Sequence, residues 1–256
     1  MNYLVHASTD VGITKATNQD SLCIKVININ GEKIVFAALC DGMGGLSKGE
    51  LASATMINAL CEWAENELPK LYASGQLCDH ILRARWEQII AEESQKIMDY
   101  GNREGIRLGT TVCAILLTND RYYVLNVGDS RVYEVQDSIN LITKDQTLVQ
   151  RELDEGILTP DEALTDPRRS ILLQCVGASG SVYPDMFFGD TKCNAVYFLC
   201  SDGFRHEITD DEIFGAFNPQ ALTDTDSMKQ NAEYLIELNK QRKETDNISV
   251  ALIRTF

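Results

Sequence analysis

Four aspartates stand beside the ends of predicted strands, and three of them adjoin a glycine. If those strands are neighbours in one sheet, their ends bring several carboxylates together, and like charges that close cannot all stay ionised without a cation. The available donors are carboxylate and backbone carbonyl oxygens, which suit Mg²⁺ or Mn²⁺ better than zinc. The pattern therefore predicts a site for hard divalent cations. The four dipeptides are Asp41-Gly42, Gly128-Asp129, Asp202-Gly203 and Asp246-Asn247.

The same residues also fit a simpler interpretation, in which they form four unrelated turns, because Asp and Gly are frequent in turns. His6, His80 and His206 do not cluster with other candidate residues, so we expect surface or partly buried side chains rather than ligands. The sequence contains no Gly-x-Ser-x-Gly nucleophile motif and no P-loop. Catalysis by such a serine and nucleotide binding by such a loop are therefore not predicted.

The strand that leads to Asp41 is the most distinctive element of the sequence. It begins at Ile34 in the stretch IVFAALCDGMGG, whose apolar run predicts a strand buried on both faces. Ser47-Lys48-Gly49-Glu50 has the form of a helix capping box, which predicts that a helix starts directly after the glycines. Apolar residues at helical spacing predict two long amphipathic helices, over about 48–67 and 79–101.

Short strands separated by turn residues account for much of the remaining chain. They are predicted at 3–8, 21–29, 111–118, 121–127, 131–135, 139–143, 195–200 and 248–253. The tight turns between them predict largely antiparallel pairing. Runs of strands separated by helix pairs are typical of an α+β fold, in which helices pack on sheets. They argue against a doubly wound parallel fold.

Residues 145–180 differ from the regular elements around them. A helix is predicted from about Gln146 to Gly156, and a second capping box begins at Thr159. The remainder is rich in Pro, Arg and small residues, which predicts a mobile excursion over the sheet. A third capping box begins at Thr209, and a last helix is predicted near 225–242.

Composition excludes several classes of partner. The 256 residues include 23 basic and 38 acidic side chains, for a net charge of −15, which disfavours nucleic acid and anionic membrane surfaces. Eight cysteines form no C-x-x-C pair, which indicates small buried side chains in a reducing compartment. The N-terminus lacks signal-peptide character and no apolar run approaches about 18 residues, so we expect a cytoplasmic protein.

Six motifs appear in the order found in a known family. The chain resembles the PPM/PP2C family of metal-dependent Ser/Thr protein phosphatases, of the bacterial type, over about residues 3–254. The resemblance implies a four-layer αββα sandwich of two antiparallel sheets flanked by helix pairs, in a single domain over 1–256. Residues 160–178 resemble the family's flap, which we assign to about 145–180. The motifs are TDVGITKATNQDS (9–21), FAALCDGMGG (36–45), GTT (109–111), NVGDSRVY (126–133), VYFLCSDGF (196–204) and DNISVALI (246–253).

The resemblance also implies a role for each aspartate of the pattern. Asp41 resembles the carboxylate that bridges two metal ions, and the backbone carbonyl of Gly42 resembles a ligand of one of them. Asp202 and Asp246 resemble ligands of the other. Asp129, together with Asp202, matches positions that hold a third, more weakly bound metal ion in bacterial members. The implied cofactors are two Mn²⁺ or Mg²⁺ ions, with a third in this weaker site.

Four further positions bear on catalysis. Asp20 resembles the carboxylate that orients a metal-bound water. Lys15 stands where many members have a phosphate-gripping Arg, and because Lys lacks the bidentate fork we expect a looser hold on phosphate. Gln19 stands where many members have a Glu ligand, although bacterial members often have Gln. Met43 replaces the His proposed as general acid in animal members, so a water must protonate the leaving group.

The implied activity is hydrolysis of phosphoserine and phosphothreonine by a metal-activated water, without a phosphoenzyme intermediate. The expected substrates are proteins phosphorylated by a Ser/Thr kinase, and we expect a monomer. One alternative is a catalytically weak pseudophosphatase that binds a phosphoprotein or regulatory partner, although such relatives usually lose a metal carboxylate. Another is a phosphohydrolase for small metabolites, which the polar loop at 9–20 and the flap do not exclude.

Overall fold

The computed structural model describes residues 1–43 and 48–256. The strands are β1 (Tyr3–Asp10), β2 (Asp20–Ile29), β3 (Glu32–Met43), β4 (Gly109–Thr110), β5 (Val112–Leu117), β6 (Arg121–Val127), β7 (Arg131–Val135), β8 (Ile139–Leu141), β9 (Asp185–Asp190), β10 (Val196–Cys200) and β11 (Ile248–Thr255). The helices are α1 (Gly49–Asn66), α2 (Leu68–Ala73), α3 (Asp79–Glu104), α4 (Leu148–Asp154), α5 (Pro160–Thr165), α6 (Asp202–Arg205), α7 (Asp210–Phe217) and α8 (Thr225–Gln241).

The strands form two sheets. One has the order β1-β11-β10-β7-β8, and the other has the order β2-β3-β5-β6-β9 with β4 paired to β3. Every strand pair within the described ranges is antiparallel, as the turn pattern predicted. The chain crosses between the sheets several times, so strands that are distant in sequence become neighbours.

Three apolar layers hold the two sheets and the helices together. Side chains alternate across β3, so Val35 and Leu39 enter the layer between the sheets, where they join residues of β10 and β11. Phe36 points to the opposite face and packs under α1 and α3, with ring centroids 5.5 Å from Trp63. The outer face of the other sheet is covered by α7 and α8. This arrangement is the predicted four-layer αββα sandwich.

Two local predictions differ from the structure around Asp41. The apolar run was expected to end at Asp41, but β3 continues to Met43 because Gly42 and Met43 pair with β4. The predicted capping box begins at Ser47, which lies outside the described residues. Lys48 occupies the N-cap position of α1, has a φ of 73° and makes no side-chain capping bond.

The other two capping boxes are confirmed. Thr159 and Thr209 each accept a hydrogen bond from the backbone of the glutamate three residues later, and that glutamate accepts one in return. Elements missed by the sequence analysis are short or irregular, namely β4, β9, α2 and α6. Among the residues with described structure, no helix combines the length and apolar character that a membrane span requires.

Candidate functional site

The predicted metal-binding residues meet in one cavity of about 270 Å³. Asp20 is not part of the wall, but it lies directly opposite Asp41 in the pairing of β2 with β3. The four aspartates of the sequence pattern are therefore grouped in space and do not form unrelated turns. Their roles as ligands stay predictions. The wall consists of Lys15, Gln19, Asp41, Gly42, Met43, Thr111, Asp129, Ser170, Leu172, Asp202 and Asp246.

The Gly-Thr-Thr motif fixes the main chain at Asp41. The Asp41 amide donates to Thr111 Oγ1 (2.9 Å), and the Asp41 carbonyl accepts from the Thr111 amide (2.9 Å) and the Thr110 hydroxyl (3.0 Å). The Thr111 hydroxyl is also 2.8 Å from the hydroxyl of Ser130, which directly follows Asp129. These bonds hold Asp41, on β3, and Asp129, in the connection from β6 to β7, in a fixed relation.

A pair of serines brings the other two aspartates together. Asp202 opens α6 directly after β10, and Asp246 lies two residues before β11. The Ser201 amide donates to the Ser249 carbonyl (3.1 Å), and the Ser249 amide donates to the Ser201 hydroxyl (3.0 Å). Because these bonds join the end of β10 to the beginning of β11, both carboxylates emerge at the same edge.

Asn247 ties the polar loop that precedes β2 to this edge. Its side chain accepts from the Gln19 amide (2.9 Å) and donates to the Val11 carbonyl (2.9 Å). Gly12 has a φ of +77°, and a Cβ there would lie 2.3 Å from the Asp246 carbonyl oxygen. The position thus requires glycine for both its conformation and its close approach. The loop that carries the candidate phosphate contact is therefore anchored beside a candidate ligand.

Burial and mutual repulsion raise the pKa of several carboxyl groups at the site. Burial, with the charges of Asp202 and Asp246, raises the pKa of Asp20 to about 7. Burial and the neighbouring Asp20 raise the pKa of Asp41 well above its ordinary value. Burial and Asp202 raise the pKa of Asp129 to about 8, although a nearby arginine lowers it in part. Within the described structure, both carboxylate oxygens of Asp20 and Oδ1 of Asp202 are buried without a hydrogen-bond partner.

The donors of the cavity fit a hard divalent cation, because they are carboxylate and carbonyl oxygens. As they stand, however, no three acidic, histidine or cysteine side chains of the described residues converge tightly enough to enclose one ion. The aspartates instead line a shared cavity. Since Mg²⁺ commonly keeps several waters and takes only one or two carboxylates, we expect water to complete the coordination.

Lys15 lies in the wall with its ammonium group 3.0 Å from Asp246 Oδ1. Burial lowers its pKa, but the hydrogen bond to Asp246 and the charges of Asp246, Asp41 and Asp202 outweigh that effect, so the pKa is raised. The side chain therefore stays cationic and remains accessible from the cavity. Its contact with a substrate phosphate stays a prediction.

A buried ion network that was not predicted from the sequence lies next to the site. Arg131 donates two hydrogen bonds of 2.8 Å to Asp145, and Arg205 donates to Asp145 (3.2 Å) and to the carbonyl of Asp129 (3.1 Å). Burial raises the pKa of Asp145, but the two guanidinium groups outweigh it and lower that pKa. The available signal was a charged residue, Arg131, at the beginning of a strand with buried apolar positions, because such a charge requires a partner.

His206 also has acidic neighbours that the sequence analysis did not foresee. Its Nε2 is 3.8 Å from Asp202 Oδ2, and its Nδ1 is 3.7 Å from Glu244 Oε2. The expectation that no histidine clusters with other candidate residues is therefore wrong for His206. The i, i+4 spacing from Asp202 on a helix was the signal that could have revealed this contact.

Comparison with known proteins decides the family. Residues 13–237 match the family described as Protein phosphatase 2C. The chain belongs to this family. The predicted family and fold class are thereby confirmed.

Two curated relatives illustrate the extent of the similarity. The serine/threonine protein phosphatase PstP of Mycobacterium tuberculosis is 32% identical over 250 residues, which cover 96% of this chain and 44% of that protein. This chain thus spans less than half the length of the mycobacterial relative. A putative protein phosphatase 2C-type of Streptococcus pyogenes is 31% identical over 252 residues, which cover 97% of this chain and 96% of that one.

Solved structures show the same fold. The M. tuberculosis phosphatase PstP/Ppp has a TM-score of 0.82 at 29% identity, covering 99% of this chain and 98% of that one. A Streptococcus agalactiae serine/threonine phosphatase has a TM-score of 0.83 at 27% identity, with full coverage of both chains. The catalytic domain of PstP, with a TM-score of 0.79 at 28% identity and coverage of 98% and 97%, was solved in complex with two manganese ions.

Proposed function

We propose that the protein is a metal-dependent phosphatase that hydrolyses phosphoserine and phosphothreonine in proteins. The observation that carries the proposal is the convergence of Asp41, Asp129, Asp202 and Asp246 on one cavity in a protein phosphatase 2C member. Nearby buried carboxylate oxygens without partners support it, because a cation would relieve their repulsion.

Each candidate ligand has a place in this proposal. Asp41 and the carbonyl of Gly42, with Asp202 and Asp246, would hold two Mn²⁺ or Mg²⁺ ions, and Asp129 with Asp202 would hold a third. When bound, such cations acidify a water and neutralise phosphoryl oxygens. The manganese-bound catalytic domain of PstP supports the use of divalent metal.

The chain's own residues orient the reactants. Asp20, whose buried carboxylate oxygens have no hydrogen-bond partner among the described residues, would orient the attacking water, and Lys15 in the cavity wall would offer a point charge to a phosphoryl oxygen. The water oxygen bonds to phosphorus as the ester bond to the Ser or Thr oxygen breaks. Met43 lines the cavity and has no proton to give, so water protonates the leaving oxygen. Direct attack of this kind requires no phosphoenzyme.

The proposal extends to organisation and location. Residues 145–180 act as a flap on a single domain, supported by Ser170 and Leu172 in the cavity wall. The substrates are phosphoproteins made by a Ser/Thr kinase, and the protein acts as a monomer. All eight cysteines are free, which supports a reducing, cytoplasmic location.

The decisive experiment measures phosphate release from a phosphothreonine peptide with Mn²⁺ and with excess chelator. Asp41→Asn should lower turnover by about a hundredfold or more, with the circular dichroism spectrum unchanged. The matched control is Asp137→Asn, an exposed aspartate in the β7–β8 turn, which should retain full activity. Turnover that survives chelation or the Asp41 substitution would refute the proposal. Peptide binding without turnover at any metal concentration would favour the pseudophosphatase.

A further inference from the structure

A second cavity, of about 520 Å³, adjoins the metal-binding cavity. Met43 and Leu172 line both cavities, so the two are continuous along one wall. We call the second one the side groove, and its volume is typical of ligand sites, which span about 300–1,000 Å³. Its other lining residues are mostly apolar or uncharged: Arg107, Leu108, Leu173, Gln174, Cys175, Ala178 and Ser179.

Backbone hydrogen bonds fix the segment that forms one wall of the side groove. Val176 and Thr110 exchange two hydrogen bonds of 2.9 Å, which extends the pairing beyond β4. The Leu173 amide donates to the carbonyl of Gln146 (2.8 Å). The groove is therefore formed in the free protein, and a ligand would not have to order it.

Apolar side chains are exposed where the side groove opens. Leu173 is 45% exposed and Met43 is 39% exposed. Arg107 stands at the same groove, where its guanidinium donates to the Ala178 carbonyl (3.0 Å), and no carboxylate of the described residues forms an ion pair with it. On a chain of net charge −15, an exposed cation beside an apolar groove favours a segment with both apolar and acidic side chains.

The position of the side groove suits a substrate chain. A phosphorylated residue with its phosphate beside the aspartates continues as extended backbone, which rises about 3.3 Å per residue. A side chain one to three residues away therefore reaches a cavity that shares two wall residues with the metal-binding cavity.

We propose that the side groove is a specificity site for the substrate phosphoprotein. It takes a bulky apolar side chain within three residues of the phosphoserine or phosphothreonine, in a segment that also carries a carboxylate for Arg107. This inference rests on the proposed phosphatase function.

The first test compares matched phosphothreonine peptides that carry Leu or Ser at each flanking position, from three before to three after the phosphothreonine. Burial of a leucine side chain is favourable, and a groove that stays partly open captures only part of the full gain. We therefore expect kcat/KM to be about tenfold higher for the leucine peptide at one position or more.

Two leucines of equal exposure provide a variant and its control. Leu173→Ser should reduce the leucine preference, which is the ratio of kcat/KM for the leucine peptide to that for the serine peptide, threefold or more. The same variant's kcat/KM for a small aryl phosphate reports separately on any loss of catalysis. Leu141 is 44% exposed and lines neither cavity, so Leu141→Ser should keep the wild-type preference and activity.

Peptide affinity, measured in parallel by fluorescence anisotropy with Mn²⁺, separates this inference from the activity on which it rests. A leucine preference in affinity without turnover would support the side groove while contradicting the phosphatase function. Equal kcat/KM and equal affinity for leucine and serine peptides at every position would overturn the side-groove proposal. A dimer that dissociates on Leu173→Ser substitution would also overturn it, because the groove would then bind a second copy.

Discussion

Asp20 and Asp41 lie directly opposite each other on β2 and β3, as cross-strand partners. Like charges in this position destabilise a sheet, because their side chains are neighbours on one face. Burial adds to the repulsion and raises the pKa of both carboxyl groups. The fold thus places two acids together at a cost in stability that a bound cation would offset.

The first prediction concerns stability in the presence of a chelator. The folded-state pKa values of Asp20 (about 7) and Asp129 (about 8) lie above that of an unfolded aspartate, near 3.9. The folded protein then binds more protons than the unfolded chain, so stability falls as pH rises through this window. We expect Tm to be lower at pH 8.5 than at pH 6 by about 2–4 °C or more, measured by thermal denaturation.

Saturating Mn²⁺ should abolish this decline, because metals bind the deprotonated carboxylates. Asp129→Asn removes one titrating group, so the dependence of Tm on pH in chelator should become weaker. A Tm in chelator that is equal at pH 6 and pH 8.5 would contradict the raised pKa values.

The second prediction concerns Gly42. A Cβ at this position would lie 2.2 Å from the Gly49 carbonyl oxygen and 2.6 Å from that of Gln19. Gly42→Ala must therefore displace β3, and we expect a loss of about 2 kcal/mol or more in unfolding free energy. The Mn²⁺ concentration for half-maximal activity should also rise.

Gly215 in α7 is the matched control, since a Cβ there meets nothing within 4 Å. Gly215→Ala should be neutral or stabilising by up to about 1 kcal/mol, because alanine is the better helix former. Equal effects of the two substitutions in urea denaturation would show that close packing at Gly42 has no special role.

The third prediction concerns the grip on phosphate. Lys15→Arg introduces a guanidinium that can donate two parallel hydrogen bonds to a phosphoryl group. We expect KM for a phosphopeptide to fall by about threefold or more, in steady-state assays at saturating Mn²⁺. Lys25→Arg, in an ion pair with Glu65 outside the cavity wall, should leave KM unchanged. An unchanged KM in Lys15→Arg would show that Lys15 does not touch the substrate.

The fourth prediction concerns the ion network beneath the site. Asp145 is 9% exposed and pairs with two guanidinium groups, so Asp145→Asn leaves both cations without a full counter-charge. We expect a loss of about 3 kcal/mol or more in unfolding free energy. Asp154→Asn breaks an exposed ion pair with Lys144 and should cost less than about 1 kcal/mol. Similar losses for the two variants in urea denaturation would contradict a structural role for the network.

Local sequence patterns predicted the elements that have strong periodicity. The apolar run before Asp41 and the helical spacing near Trp86 were sufficient to predict a central strand and a long helix, which the structure confirms as β3 and α3. In contrast, β9 was missed because both of its faces are only partly buried, so Phe187 and Phe188 follow each other without alternation. Helix α2 was missed because it begins beside Pro69, directly after α1.

The grouping of the four aspartates was predicted because each lies near a strand end, on the condition that those strands are neighbours in one sheet. In the structure β3 belongs to one sheet and β10 and β11 belong to the other, so the grouping also depends on how the two sheets stack. The direct opposition of Asp20 and Asp41 depends on the register between β2 and β3, which no local pattern specifies. The contact of Arg205 with Asp129 and the side groove depend on tertiary packing across the two sheets. Such features become visible only once the topology is known.

The hydrogen bonds between Val176 and Thr110 join the segment that forms one wall of the side groove to the strand next to the metal-binding cavity. Thr110 pairs with Gly42 at the end of β3, and its hydroxyl also binds the carbonyl of Asp41. A continuous path of hydrogen bonds therefore runs from one wall of the side groove to the strand that bears Asp41. Under the proposed function, a protein segment bound in the side groove would therefore rest on a wall that is hydrogen-bonded to the strand bearing Asp41.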